Sequence, residues 1–169
     1  MDKAAAQERL AELVESYSEE VDQVRPSDSD YNETQLRSDY LDEFLGVLGW
    51  DVENERGAPQ HLREVKQEES VEVDHEGHVS QKQPDYTLRV QGERRLFVEA
   101  KKPSVRVEST PSPAYQIRQY GWNAGLDISV LSNFHHLAIY DCRPQPEEGD
   151  EPSVARRTLL HYTDYSDHF

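Results

Sequence analysis

A single cysteine occurs among the 169 residues, and one thiol excludes both an internal disulfide and a cysteine zinc site. Cys142 closes an apolar run, so it reads as a core thiol rather than a nucleophile. Long hydrophobic stretches are missing too. No run is long enough to span a bilayer, and the charged, amphipathic N-terminus lacks the pattern of a secretory signal. The expectation is a soluble cytoplasmic protein with no membrane partner. Internal repeats and low-complexity tracts are absent, and the length suits one domain with a sizeable core.

Positive charge is scarce. Against 34 Asp+Glu stand 18 Lys+Arg, a formal net charge of -16, and Lys is rarer than Arg. DNA repels a polyanion. Two readings follow. Dispersed acidity with few lysines fits a halophilic protein, whose molar intracellular salt shrinks screening to a few ångströms and makes long-range repulsion unimportant. Alternatively the domain binds no nucleic acid, and its acidic face meets a protein.

What the chain does contain is organised around Pro84 to Pro103. Two alternating runs, Tyr86 to Val90 and Arg95 to Lys101, flank the Gly92 turn and predict a β-hairpin. Alternation along a strand puts Leu96, Val98 and Ala100 on one face, with Phe97, Glu99 and Lys101 on the other. Asp85 lies opposite the apolar Tyr86, Leu88 and Val90. With a loop of Gln91 to Glu93, Asp85 sits directly across from Glu99; other short loops shift that register by one residue. Two adjacent carboxylates repel, and a cation between them is the simplest remedy. Oxygen ligands suit Mg²⁺ or Mn²⁺. Lys101 beside such an ion is placed to position or help deprotonate a water and to offset charge on a phosphorane, which is metal-assisted phosphodiester hydrolysis. The same three side chains also fit an exposed hairpin with a solvated ion pair.

Pro84-Asp85 followed by Glu99-Ala100-Lys101 resembles the PD-(D/E)xK nuclease motif. The resemblance implies Asp85 and Glu99 as metal ligands, the Ala100 carbonyl as a further ligand and Lys101 as the catalytic lysine. Ser112 as N-cap, Pro113 at the first helical position and Gly125 past the end predict a helix. On it Gln116 and Tyr120 share a face, one turn apart. That spacing resembles the Gln-x-x-x-Tyr element of RecB-like nucleases, which implies a substrate-binding role for both. More widely, Glu33 to Arg37, Leu48-Gly49-Trp50-Asp51-Val52, the hairpin, Tyr115-Gln116 and Tyr140-Asp141-Cys142 are similar to the N-terminal endonuclease domain of type IIG restriction-modification enzymes. The N-terminal domain of type I restriction subunits is a related match. This implies DNA as partner, Glu33 as an accessory acidic residue, and a parent protein carrying methyltransferase and specificity domains. A non-catalytic interaction or nucleic-acid-binding module with a degenerate nuclease fold is the alternative, and a nuclease for RNA or single strands a third.

The remaining chain follows from periodicity. Leu10, Leu13, Val14, Tyr17, Val21 and Val24 form a helical stripe over 4–24, and 25–30 is a polar linker with a proline stop. The expected division is thus 1–30, helix and linker, and 31–169, nuclease domain. A second helix spans 33–48, capped by Asn32 and stopped by Gly49; on it Glu33 and Arg37 also suit a plain ion pair. Trp50 to Val52 begins a first strand, and 74–78 is a turn whose His75 and His78 read as solvent-exposed. Strands follow at 128–131 and 137–141, with His135 and His136 in the turn between them, far in sequence from the hairpin. The segment 156–162 is a closing strand or a helix start. The order predicts an α/β fold, a restriction-endonuclease-like mixed central sheet flanked by helices.

Overall fold

The structure is a computed structural model that describes residues 2–75 and 77–169. Helix α1 runs Lys3–Val24, its N-terminus capped by the Asp2 carboxylate, which accepts from the Ala5 N–H at 2.9 Å. Leu10, Leu13, Tyr17 and Val24 of the predicted stripe are buried, and Val14 and Val21 partly so. Asn32 makes a full capping box for the next helix: its side chain accepts from the Gln35 N–H at 3.0 Å, and the Gln35 side chain accepts from the Asn32 N–H at 2.9 Å. That helical stretch is not uniform. It comprises α2 (Glu33–Leu36), a π-helical segment (Arg37–Leu41) and α3 (Asp42–Val47), with the Asp42 N–H donating to the Arg37 carbonyl five residues back. A π segment widens one turn of the helix, and Arg37 is its first residue.

Among the described residues eight strands follow: β1 (Val65–Gln67), β2 (Val71–His75), β3 (His78–Lys82), β4 (Tyr86–Val90), β5 (Glu93–Ala100), β6 (Ile128–Ser132), β7 (His136–Asp141) and β8 (Arg156–His161). Six of them form one sheet in the order β1-β4-β5-β6-β7-β8, in which β5 and β6 are parallel and the other neighbours antiparallel. The parallel step requires a crossover, and helix α4 (Pro111–Asn123) supplies it. One sheet face, with Tyr86, Leu88, Val98 and Ala100, packs on α1 and α3 around Tyr17, Tyr40, Phe44 and Phe134. The opposite face, with Phe97, Leu131, Ala138 and Tyr140, packs on α4 and on the separate β2–β3 hairpin through Val71 and Val73. The expected mixed sheet flanked by helices is therefore what the chain forms. Cys142 is buried, as expected of a core thiol.

Several local expectations are corrected. Residues 50–52 are not a strand, because the Asp51 carboxylate accepts from the N–H groups of Glu55 at 2.7 Å and Arg56 at 2.9 Å and closes a turn instead. Helix α4 starts two residues earlier than read, with Thr110 as cap and Pro111 in the first turn. Either proline is tolerated there, since first-turn N–H groups lack helical partners anyway. Of the expected turn 74–78, the described residues Asp74, His75 and His78 belong to paired strands, whose register His75↔His78 leaves a two-residue connection; Glu76 lies outside the described residues.

The central hairpin closes through Gln91-Gly92 alone, both with positive φ (53° and 85°). A side chain at 92 would also meet the His61 carbonyl at 2.9 Å, so glycine is required twice over. This loop is one residue shorter than the one that pairs Asp85 with Glu99. A bulge compensates: Arg89 pairs with Arg94 but Leu88 with Leu96, leaving Arg95 as the extra residue. From there Tyr86 pairs with Val98, and the next position back, Asp85, falls opposite Glu99.

Candidate active site

The site forms where β4 begins and β5 ends, with α2 on one side and α4 on the other. Asp85 precedes β4, Glu99 is the penultimate residue of β5 and Lys101 follows it. Both carboxylates are nearly buried, at 9% and 4% exposure. Asp85 Oδ2 accepts from the Ala100 N–H at 2.7 Å, and Oδ1 from the Arg37 guanidinium at 3.2 Å. Glu99 Oε1 accepts from Lys101 Nζ at 2.8 Å and from Gln116 Nε2 at 2.9 Å. Gln116 Nε2 also donates to the Tyr120 hydroxyl at 2.7 Å. The i, i+4 pair of α4 therefore reaches the hairpin carboxylate directly, as its helical spacing allows.

One atom of this network is unmatched. Glu99 Oε2 is buried and has no hydrogen-bond partner among the described residues. A lone buried carboxylate oxygen is costly, and its preferred remedies are a proton or a cation. Burial, opposed by Lys101 and reinforced by the Asp85 charge and by Glu33, pushes the Glu99 carboxyl up to about 7. Burial likewise raises Asp85, although the Ala100 N–H and Arg37 pull it back, and it raises Glu33, with Lys101 opposing. Three carboxyl groups thus crowd one ammonium. For Lys101 burial acts downward, but Glu99, Glu33 and Asp85 together outweigh it, and the ammonium is held above its ordinary range.

Every residue singled out from the sequence is brought to this place: Asp85, Glu99, Ala100, Lys101, Gln116 and Tyr120 by hydrogen bonds, and Glu33 by its electrostatic coupling to Lys101, Asp85 and Arg37. Arg37 has a different role from the helix ion pair weighed for it. Its guanidinium bonds to Asp85, to Glu68 at 3.0 Å and to the Gln67 side chain at 3.2 Å, and lies 5.0 Å over the Tyr86 ring. Gln67 and Glu68, at the end of β1, carried no signal in the sequence. Their place depends on the antiparallel pairing of β1 with β4, which aligns Gln67 with Tyr86 and sends the Glu68 N–H to the Asp85 carbonyl at 3.1 Å.

A six-stranded mixed sheet with buried carboxylates and a lysine at the end of a central hairpin defines an α/β protein with a polar, charge-dense site at the ends of two interior strands. The family model described as type I restriction enzyme R protein N terminus (HSDR_N) matches residues 30–148, and the chain belongs to that family. It is 45% identical over 162 residues, 96% of its length, to the type II restriction enzyme and methyltransferase RM.Eco57I of Escherichia coli, and spans 16% of that protein. Among solved structures it is similar to a chain of the DrdV–DNA complex determined by cryo-EM, at 15% identity and a TM-score of 0.45, covering 90% of this chain and 87% of that one. Among the described residues no helix is long and apolar enough to cross a membrane.

Proposed function

We propose that this domain is the DNA-cleaving part of a restriction-modification enzyme, a divalent-metal-dependent endonuclease of the PD-(D/E)xK kind. The observation that carries the reading is the buried, unpartnered Glu99 Oε2, set beside Asp85 and Lys101. A hard cation fits this donor set, which is all oxygen and short of positive charge. Asp85, Glu99 and the Ala100 carbonyl would hold Mg²⁺, or Mn²⁺, with Glu33 as an accessory carboxylate. When bound, the ion polarises the scissile phosphate and acidifies a coordinated water.

The chain's own residues supply the rest. Lys101, with its Nζ 2.8 Å from Glu99 Oε1, is placed to position the attacking water and to stabilise charge on the phosphorane. Gln116 and Tyr120 present an amide and a hydroxyl at the rim of the same carboxylate, where they orient substrate. Arg37 holds Asp85 in place through the Oδ1 bond. A net charge of -16 opposes DNA binding by the domain alone, so methyltransferase and specificity domains of a longer parent would supply most of the affinity and the sequence recognition.

Nicking of supercoiled DNA in Mg²⁺ tests the reading. Lys101→Ala and Asp85→Ala are each expected to lower the rate at least about 100-fold while circular dichroism shows the fold intact. Activity retained in both, or metal binding unchanged in Asp85→Ala, refutes it and leaves a non-catalytic module of the same fold.

A further inference from the structure

Away from the carboxylate site, three histidines converge. His135 and His136 occupy the turn into β7 and its first position, and His161 ends β8 as the cross-strand partner of His136. His135 Nε2 and His161 Nε2 lie 3.1 Å apart, and one nitrogen of each of the three rings lies within 4.8 Å of the others. A tetrahedral ion with bonds of ~2.0–2.1 Å holds its nitrogens about 3.3 Å from one another. One pair is already at that separation, and the third ring needs a modest rotation to join it. We infer that His135, His136 and His161 form a binding site for a borderline transition-metal ion of the Zn²⁺ class.

The surroundings are those of ligating imidazoles. His136 Nδ1 lies 3.3 Å from Glu108 Oε2, a carboxylate of the kind that orients a ligating ring, while His161 Nδ1 lies 2.7 Å from Thr163 Oγ1 and accepts from the Thr163 N–H at 3.5 Å. Glu108 Oε2 and His136 Nδ1 are buried and lack a hydrogen bond within the described residues, as does His135 Nδ1. Tyr17 of α1 packs 6.0 Å from the His135 ring and Tyr162 packs 5.1 Å from it, so the cluster sits on the aromatic core rather than on a free loop. Imidazole ligands select a softer ion than the carboxylates at Asp85 and Glu99. The bound ion would tie the end of β8 to the β6–β7 turn, a structural role independent of DNA cleavage.

The test uses the untagged chain, stripped with chelator and titrated with Co²⁺. One equivalent should give the intense visible absorption of tetrahedral cobalt, and Zn²⁺ should displace it. Asp85→Ala should keep this signal, whereas His135→Ala and His161→Ala should lose it. Free Zn²⁺ at about a hundred times its Kd should raise the Tm by about 5–10 °C in the parent and not in His161→Ala. His161→Asn, smaller in its effect on packing, serves where the alanine variant fails to fold. Absence of tetrahedral absorption in the parent, or the same absorption in a folded His161→Asn, overturns the inference and leaves a His135–His161 hydrogen bond in a ring cluster.

Discussion

Replacing Glu99 by Gln tests the electrostatic heart of the site without touching its shape. The amide can still accept from Lys101 and Gln116, but it carries no charge to be buried. The folded Glu99 carboxyl titrates at about 7, against an ordinary 4.5, so between these values the native state binds more protons than the unfolded chain. Its contribution is therefore greatest below pH 4.5 and is lost as pH rises through about 7. At ~1.4 kcal/mol for each pH unit of difference, the penalty above pH 7 is about 3 kcal/mol. That figure is an upper limit, since the variant also deprives Lys101 of one of its three acidic neighbours. For a chain of this length it corresponds to a Tm difference of up to about 5–10 °C. Thermal unfolding of both proteins in chelator, across neutral pH, is the assay. The variant should gain on the parent as pH rises through 7, and saturating Mg²⁺ should stabilise the parent alone. Parallel Tm curves, or a variant that falls behind at alkaline pH, would refute the reasoning.

Two further outcomes follow from packing and charge. Gly121→Ala drives a methyl group against Cys142 Sγ, to 2.7 Å from Cys142 Cβ and 2.8 Å from Ser129 Oγ; it should cost about 2–3 kcal/mol, read as a Tm lower by about 5–10 °C. Gly46→Ala, inside α3 with nothing within 4 Å of the new Cβ, should instead gain about 0.5–1 kcal/mol, so equal effects at the two positions would contradict the packing described. Self-repulsion of 16 uncompensated negative charges predicts a Tm that climbs with KCl until the screening length falls to ~3 Å near 1 M, and a Tm flat in KCl would remove the halophilic reading of the composition.

Much of the site was legible because its parts are local. Alternation along β5 placed Glu99 and Lys101 on one face, and helical spacing placed Gln116 and Tyr120 on another, with no knowledge of the sheet. The register between Asp85 and Glu99 was legible in outcome but not in cause, because a shorter loop and a bulge at Arg95 cancel. Trp50 to Val52 looked like a strand because its side chains are apolar or alternate, while the competing signal, an Asp51 carboxylate able to cap two N–H groups, becomes decisive only when the following residues fold back.

By itself, then, the sequence determined two amphipathic helical segments, the central hairpin, the crossover helix and which residues carry acid, amide and amine, since each depends on neighbours within a few positions. Tertiary structure alone decided that Arg37 clamps Asp85 from 48 residues away, that Glu68 joins them across β1, and that His161 meets His135 and His136 across β7 and β8. It also decided the burial that lifts Glu99 to about 7. Desolvation and charge coupling act over ångströms in space, and spacing along the chain does not encode those distances until the sheet has closed.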